Sequence, residues 1–187
     1  TDRLSATLGL RVDRNNTTSR AVSPRAGVIW KAGADTTLKT LYGRAHRAPN
    51  VYERDYADGA TLIANNDLRA EYIETLEAVA EHVVRQGLVL RASAYRWVMT
   101  DLIGLAAESA DGPPQYQNGD KVGARGLELS VDSQWANATR LRASLSLQRA
   151  AYSGGTALYN SPRLLARANL SAPLPWAGAS AGVEWRH

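Results

Sequence analysis

Apolar and polar residues alternate one by one along much of this chain. From Thr139 the apolar positions are Leu141, Ala143, Leu145 and Leu147, with Arg140, Arg142, Ser144, Ser146 and Gln148 between and beside them. A period of two places the two sets on opposite faces of a β-strand. The same holds for Leu4, Ala6, Leu8, Leu10 and Val12 against Arg3, Ser5, Thr7, Gly9, Arg11 and Asp13. It holds again for Ala179, Ala181, Val183 and Trp185 against Ser180, Gly182, Glu184 and Arg186. Further stretches at 24–31, 36–46, 72–84, 87–103, 119–132 and 163–172 are bounded by Gly, Pro, Asn or Asp, so the pattern predicts nine strands. In the fifth, the apolar set Leu88, Leu90, Ala92 and Ala94 gives way to Tyr95, Trp97 and Met99 on the other parity. That change predicts a bulge, or a strand emerging from an apolar medium.

Strand length separates two architectures. Strands of soluble sandwiches average about five or six residues, whereas a tilted strand crossing a bilayer needs roughly nine to eleven. The predicted connections alternate, long at 14–23, 47–71, 104–118 and 152–162 and short at 32–35, 85–86, 133–138 and 173–178. Membrane barrels combine short turns on one side with longer loops on the other. Trp30, Trp135 and Trp176 fall beside short connections and Tyr72, Tyr95, Tyr152 and Tyr159 toward long ones, which predicts two aromatic girdles. On this reading Leu76, Ala78, Ala80, His82, Leu127, Leu129 and Val131 face acyl chains. Glu77, Val79, Glu81, Gly126, Glu128, Ser130 and Asp132 then face a wet interior, where Glu77, Glu81, Glu128 and Glu184 have Arg140, Arg142, Arg167 and Arg186 as possible partners. The expected fold is all-β, an antiparallel transmembrane β-barrel. Nine strands do not close a bacterial single-chain barrel, which uses an even number, so the chain is expected to be a fragment of a larger one.

Composition narrows the chemistry. The 187 residues include no Cys, which removes disulfides, thiolate metal sites and cysteine nucleophiles. Twenty-two Lys+Arg against 18 Asp+Glu give +4, but both signs are mixed along the chain, so no nucleic-acid partner is expected. The first twelve residues lack the order of a signal peptide. No Gly-x-Ser-x-Gly elbow, His-Glu-x-x-His pair or phosphate-cradling glycine loop is present, and the chain is not expected to be an enzyme or to carry a cofactor. Arg54, Asp55, Tyr56, Ala57, Asp58 and Gly59, followed by Asn65, Asn66 and Asp67, are rich in oxygen ligands but lack the EF-hand spacing, and no metal site is assigned.

Six blocks carry a family resemblance. Leu41-Tyr42-Gly43-Arg44-Ala45-His46-Arg47-Ala48-Pro49-Asn50-Val51-Tyr52-Glu53 resembles the Tyr-Gly-x-x-Phe-Arg-Ala-Pro box of TonB-dependent outer-membrane receptors. Asn65-Asn66-Asp67-Leu68-Arg69-Ala70-Glu71 resembles their Asn-Pro-Asn/Asp-Leu-Lys-Pro-Glu box, and Thr75 to Glu81, with Glu77, the strand that follows. Tyr95 to Ile103 is similar to an aromatic strand ending in Asp-Leu-Ile. Asn118-Gly119 through Gly126-Leu127-Glu128-Leu129 resembles a Gly-hydrophobic-Glu strand, and Asn160-Ser161-Pro162-Arg163 an Asn-x-Pro-x-His box. The similarity covers nearly the whole chain, with departures at His46, Asn66 and Leu164.

The resemblance implies the C-terminal part of a 22-stranded barrel in the outer membrane of a Gram-negative bacterium, with an N-terminal plug domain and TonB box that these residues do not include. It implies outer-membrane lipid, the plug and the TonB complex as partners, and a scarce large solute such as a ferric siderophore as cargo. A haem or cobalamin receptor of the same family, a passive pore or an adhesin barrel are the alternatives. Physically, Pro49 lacks a donor and biases Ala48 to extended geometry, so Arg47-Ala48-Pro49 closes a strand and begins an outer loop. The boxes therefore read first as architecture. Arg47, Asn50, Tyr52, Arg54, Asp55 and Tyr56 are the candidate ligand contacts on that loop, through charge and ring stacking. His46 is a possible axial ligand or a plain interfacial residue.

Overall fold

The computed structural model describes residues 3–14, 20–59, 61–107, 112–176 and 178–187. Parts of four expected connections, 15–19, 60, 108–111 and 177, lie outside the described residues. Nine strands form one antiparallel sheet: β1 (Leu4–Asp13), β2 (Ala21–Lys31), β3 (Thr36–Arg47), β4 (Glu71–Arg85), β5 (Leu88–Thr100), β8 (Val122–Gln134), β9 (Arg140–Tyr152), β10 (Leu164–Pro173) and β11 (Ser180–Arg186). Their spatial order is their chain order. The sheet is open, with β1 and β11 at its two ends. No helix among the described residues is long and apolar enough to cross a membrane, which says nothing about strands.

Three elements add to the nine expected strands. A one-turn helix α1 (Val51–Asp55) follows β3, and β6 (Ile103–Ala106) pairs with β7 (Gln115–Asn118) in a separate hairpin within the β5–β8 connection. The fifth predicted strand therefore ends at Thr100, where Asp101 takes a left-handed φ of 56° and turns the chain. The register irregularity lies in β4, between Val83 and Arg85, while β5 pairs with β8 without a break. The change of parity in β5 is thus a change in what each face carries, with Arg96 on the aliphatic face and Tyr95, Trp97 and Met99 on the other.

Directly opposite residues of an antiparallel ladder share a face. The row Ala92, Leu129, Leu145 and Ala166 and the row Ala94, Leu127, Leu147 and Leu164 run across β5, β8, β9 and β10, and both are aliphatic. One residue along, the row Ser93, Glu128, Ser146 and Leu165 begins the polar face. A slip of one residue anywhere would exchange these faces. Ion pairs on the polar face join Glu81 to Arg91 at 2.8 Å and Asp132 to Arg140 at 2.8 Å and Arg142 at 3.5 Å. Glu184 takes Arg186 of its own strand. The expected partners were therefore right in kind, but Arg91 and Asp132 replace several of the residues named.

The aromatic pattern is also corrected. Trp30 and Trp135 are exposed beside short turns, as is Trp176. Tyr72 lies on the aliphatic face, but Tyr95 and Tyr152 share the polar face with Gly126 and Val122, so they belong to no outward girdle. Buried aliphatic residues gather at the long-connection end: Leu62, Leu68 and Ala70 before β4, and Val122, Ala124 and Ala150 at the adjoining ends of β8 and β9.

Candidate functional site

The long connection between β3 and β4 begins with Arg47-Ala48-Pro49-Asn50 and ends with Asn65 to Glu71, and the structure ties the two together. Arg47 and Glu71 are opposite one another in the β3–β4 ladder, and Arg47 Nε donates to Glu71 Oε2 at 2.6 Å. The Arg47 Nη1 group donates to both oxygens of Glu53, at 3.0 and 2.9 Å. Glu53 also accepts from the backbone N–H of Asn50 at 2.9 Å, while Asn50 Oδ1 accepts from the backbone N–H of Glu53 at 2.8 Å. This capping box starts α1 immediately after the buried Pro49. Glu71 is 9% exposed, and its second oxygen accepts from the backbone N–H of Ile103 at 2.7 Å, which binds the β5–β8 connection as well.

A second joint is centred on Asn118. Its Oδ1 accepts from the backbone N–H of Arg69 at 2.7 Å, and its Nδ2 donates to the carbonyls of Arg69 at 2.9 Å and Asp101 at 2.8 Å. Arg69 pairs with Asp101 at 2.6 Å. Asn65 Nδ2 donates to the Tyr116 carbonyl at 2.7 Å, and Gln115 Nε2 to the Ala64 carbonyl at 2.9 Å. Asn66 and Asp67 form a turn braced by Asn65 Oδ1, which accepts from the Asp67 backbone at 3.1 Å, and Leu68 beyond them is buried. The two connections thus make one cap at the end of the polar face.

Of the candidate ligand contacts, Arg47 and Asn50 are engaged inside the cap. Tyr52 and Tyr56 are 53% and 44% exposed and stack with ring centroids 4.7 Å apart, and Tyr116 from β7 meets Tyr52 edge-on at 6.2 Å. Tyr116 had no signal of its own in the sequence, because only the β6–β7 hairpin brings it to Tyr52. Arg54 lies 3.5 Å from Asp55 in the same helix. Asp58 braces its loop through the backbone of Thr61 and Leu62 and the Thr61 hydroxyl. Among the described residues no group of three His, Asp or Glu could hold a metal.

His46 stands apart from this cap. Its Nδ1 is 3.0 Å from the Ser23 hydroxyl and its Nε2 is 3.8 Å from Asp13, so both ring nitrogens face protein partners. Glu77 and Gly126 both face Tyr95 across their ladders, and Glu128 accepts from the Ser146 hydroxyl at 3.2 Å. A Cβ on Gly126 would meet the Tyr95 ring at 2.6 Å.

A family model described as "TonB dependent receptor-like, beta-barrel" matches residues 1–187. No curated protein matches in sequence. The siderophore receptor PirA of Pseudomonas aeruginosa superposes with a TM-score of 0.77 at 22% identity, over 97% of this chain and 33% of that one. A variant of the ferric enterobactin receptor of the same organism gives 0.77 at 22% identity, over 100% and 30%. The FrpB iron transporter of Neisseria meningitidis gives 0.72 at 16% identity, over 98% and 30%. The chain therefore spans about a third of the solved proteins it resembles.

Proposed function

Because the chain belongs to the TonB-dependent receptor β-barrel family, we propose that it forms part of the wall and outer rim of a Gram-negative outer-membrane receptor that takes up a ferric siderophore. The aliphatic face then meets lipid and the polar face lines the interior. In that orientation the long connections reach the cell exterior and the short turns the periplasm.

The observation that carries the cargo reading is the cap, which holds the exposed rings of Tyr52 and Tyr56 stacked and brings Tyr116 edge-on to Tyr52. Exposed, stacked phenols suit a flat, aromatic iron chelate, because the rings supply contact area and a stacking geometry. The solved receptors of similar fold are named for siderophore or iron transport, which supports the same class of cargo. A plug domain and the TonB complex complete the proposal, since a wall segment alone binds but does not release inward.

The test is uptake of a radiolabelled ferric catecholate by cells expressing the full-length gene product. Uptake is expected to stop when the proton-motive force is collapsed or TonB is deleted. Uptake that survives both treatments makes the barrel a passive pore and defeats the proposal.

A further inference from the structure

Three arginines stand in one row across neighbouring strands of the aliphatic face. Arg96 of β5 is directly opposite Arg125 of β8, which is directly opposite Arg149 of β9. All three are exposed, and none makes an ion pair or a side-chain hydrogen bond among the described residues. Lys121 joins them at the rim of the same open hollow, of about 620 Å³. Glu74 of β4, diagonal to Arg96 on this face, is 3.5 Å from Arg44 instead. Like charges placed directly opposite in a ladder repel one another. Three in a row, with no ion-paired carboxylate among the described residues, favour an anion from outside the chain.

The depth of the row says where that anion sits. The row immediately beneath is Ala94, Leu127 and Leu147. From Trp135 at the short turn to Arg125 is ten residues of β8. At about 3.4 Å per residue and a tilt of about 40°, that is roughly 26 Å along the barrel axis. The apolar band of such a barrel is about 25 Å tall, so the guanidinium groups lie where acyl chains give way to headgroups of the outer leaflet. Guanidinium binds phosphate bidentately, and several around one hollow form a multidentate phosphate site.

Resting on the membrane orientation proposed above, we propose that Arg96, Arg125, Arg149 and Lys121 bind the phosphate groups of a phosphorylated outer-leaflet lipid. The site is on the outside of the barrel, away from the cap and from the cargo path. It orders the lipid collar around β5, β8 and β9 and anchors this side of the wall at a fixed depth.

The test uses the full-length protein in neutral detergent and in bilayer nanodiscs. Binding is measured for diphosphorylated lipid A, for the same lipid with both phosphates removed, and for inorganic phosphate. The phosphorylated lipid is expected to bind about a hundredfold more tightly than its phosphate-free form. The Arg96→Gln/Arg125→Gln/Arg149→Gln variant is expected to lose that preference, and the corresponding triple Lys variant to keep most of it. Equal binding of the two lipids, or an unchanged preference in the triple Gln variant, overturns the inference. Inorganic phosphate binding as tightly as the lipid overturns the lipid assignment. If the protein stays out of bilayers altogether, the orientation under "Proposed function" fails with it. Insertion without phosphate preference sinks this inference alone.

Discussion

The phenol of Tyr95 donates to Gln148 Oε1 at 3.0 Å, spanning a whole strand because the residue between them is Gly126. Gln148 in turn donates to the Pro162 carbonyl at 3.0 Å, so β5, β9 and the connection before β10 are linked over one glycine. A methyl group at 126 would lie 2.6 Å from the Tyr95 ring and 2.8 Å from the Leu147 carbonyl. The ring can swing away, but the carbonyl belongs to the ladder.

Gly126→Ala is expected to destabilise the protein by about 1–3 kcal/mol through overpacking. Tyr95→Phe is expected to cost about 0.5–1.5 kcal/mol for the lost hydrogen bond. Denaturant unfolding of the detergent-solubilised full-length protein measures both. In Gly126→Ala/Tyr95→Ala the combined loss is expected to be smaller than the sum, because one of the two clashing groups, the ring, is gone while the Leu147 carbonyl remains.

Arg47→Met removes the cation from Glu71, whose carboxylate is nearly buried and left holding only the Ile103 N–H. A loss of about 1–3 kcal/mol is expected, concentrated in the cap. Amide exchange in residues 48–70 and 101–107 is expected to accelerate while β8 and β9 stay protected. Uniform acceleration across all strands contradicts the cap as a separate unit.

Asn118→Leu keeps the side-chain volume and deletes the three hydrogen bonds that join Arg69, Asp101 and Asn118. Limited proteolysis is expected to cut the β5–β8 connection severalfold faster, with the barrel intact. Unchanged cleavage shows that the β6–β7 hairpin is held by other contacts.

Tyr52→Ala, Tyr56→Ala and Tyr116→Ala are each expected to weaken binding of a ferric catecholate about three- to tenfold, the range of an aromatic contact. Fluorescence quenching titrations read the change. Equal affinity in all three places the cargo elsewhere on the rim.

Leu129→Arg puts a guanidinium on the aliphatic face and is expected to cost about 2–4 kcal/mol near the bilayer midplane. Its neighbour Ser130→Arg, on the polar face, is expected to cost little. Equal costs, measured by unfolding in lipid vesicles, show that the two faces share one solvent.

The nine strands and their faces were legible in the sequence because alternation records two solvents residue by residue. Leu127, Leu129 and Val131 against Gly126, Glu128 and Ser130 fix the register of β8 with no help from neighbours. Tyr95 and Tyr152 lie on the polar face because parity along the strand, not ring type, decides which way a side chain points. The hairpin of β6 and β7 leaves no trace in the pattern because four-residue strands carry too few alternations to stand out. The cap was half legible. Its two motif boxes marked the strand ends, but the pairing of Arg47 with Glu71 is across a ladder, and Asn118 reaches Arg69 over 49 positions. Such contacts leave no periodic trace.

The neighbour-to-neighbour order of the sheet has a kinetic consequence. Each of β2 to β5 and β9 to β11 pairs with the strand synthesised just before it, so a nascent chain can extend the ladder hairpin by hairpin. The junction of β5 with β8 is different, because residues 101–121 must be folded out of the way first. Zippering is expected to pause there until the β6–β7 hairpin has formed, which makes this step the place where a folding catalyst would have most to accelerate.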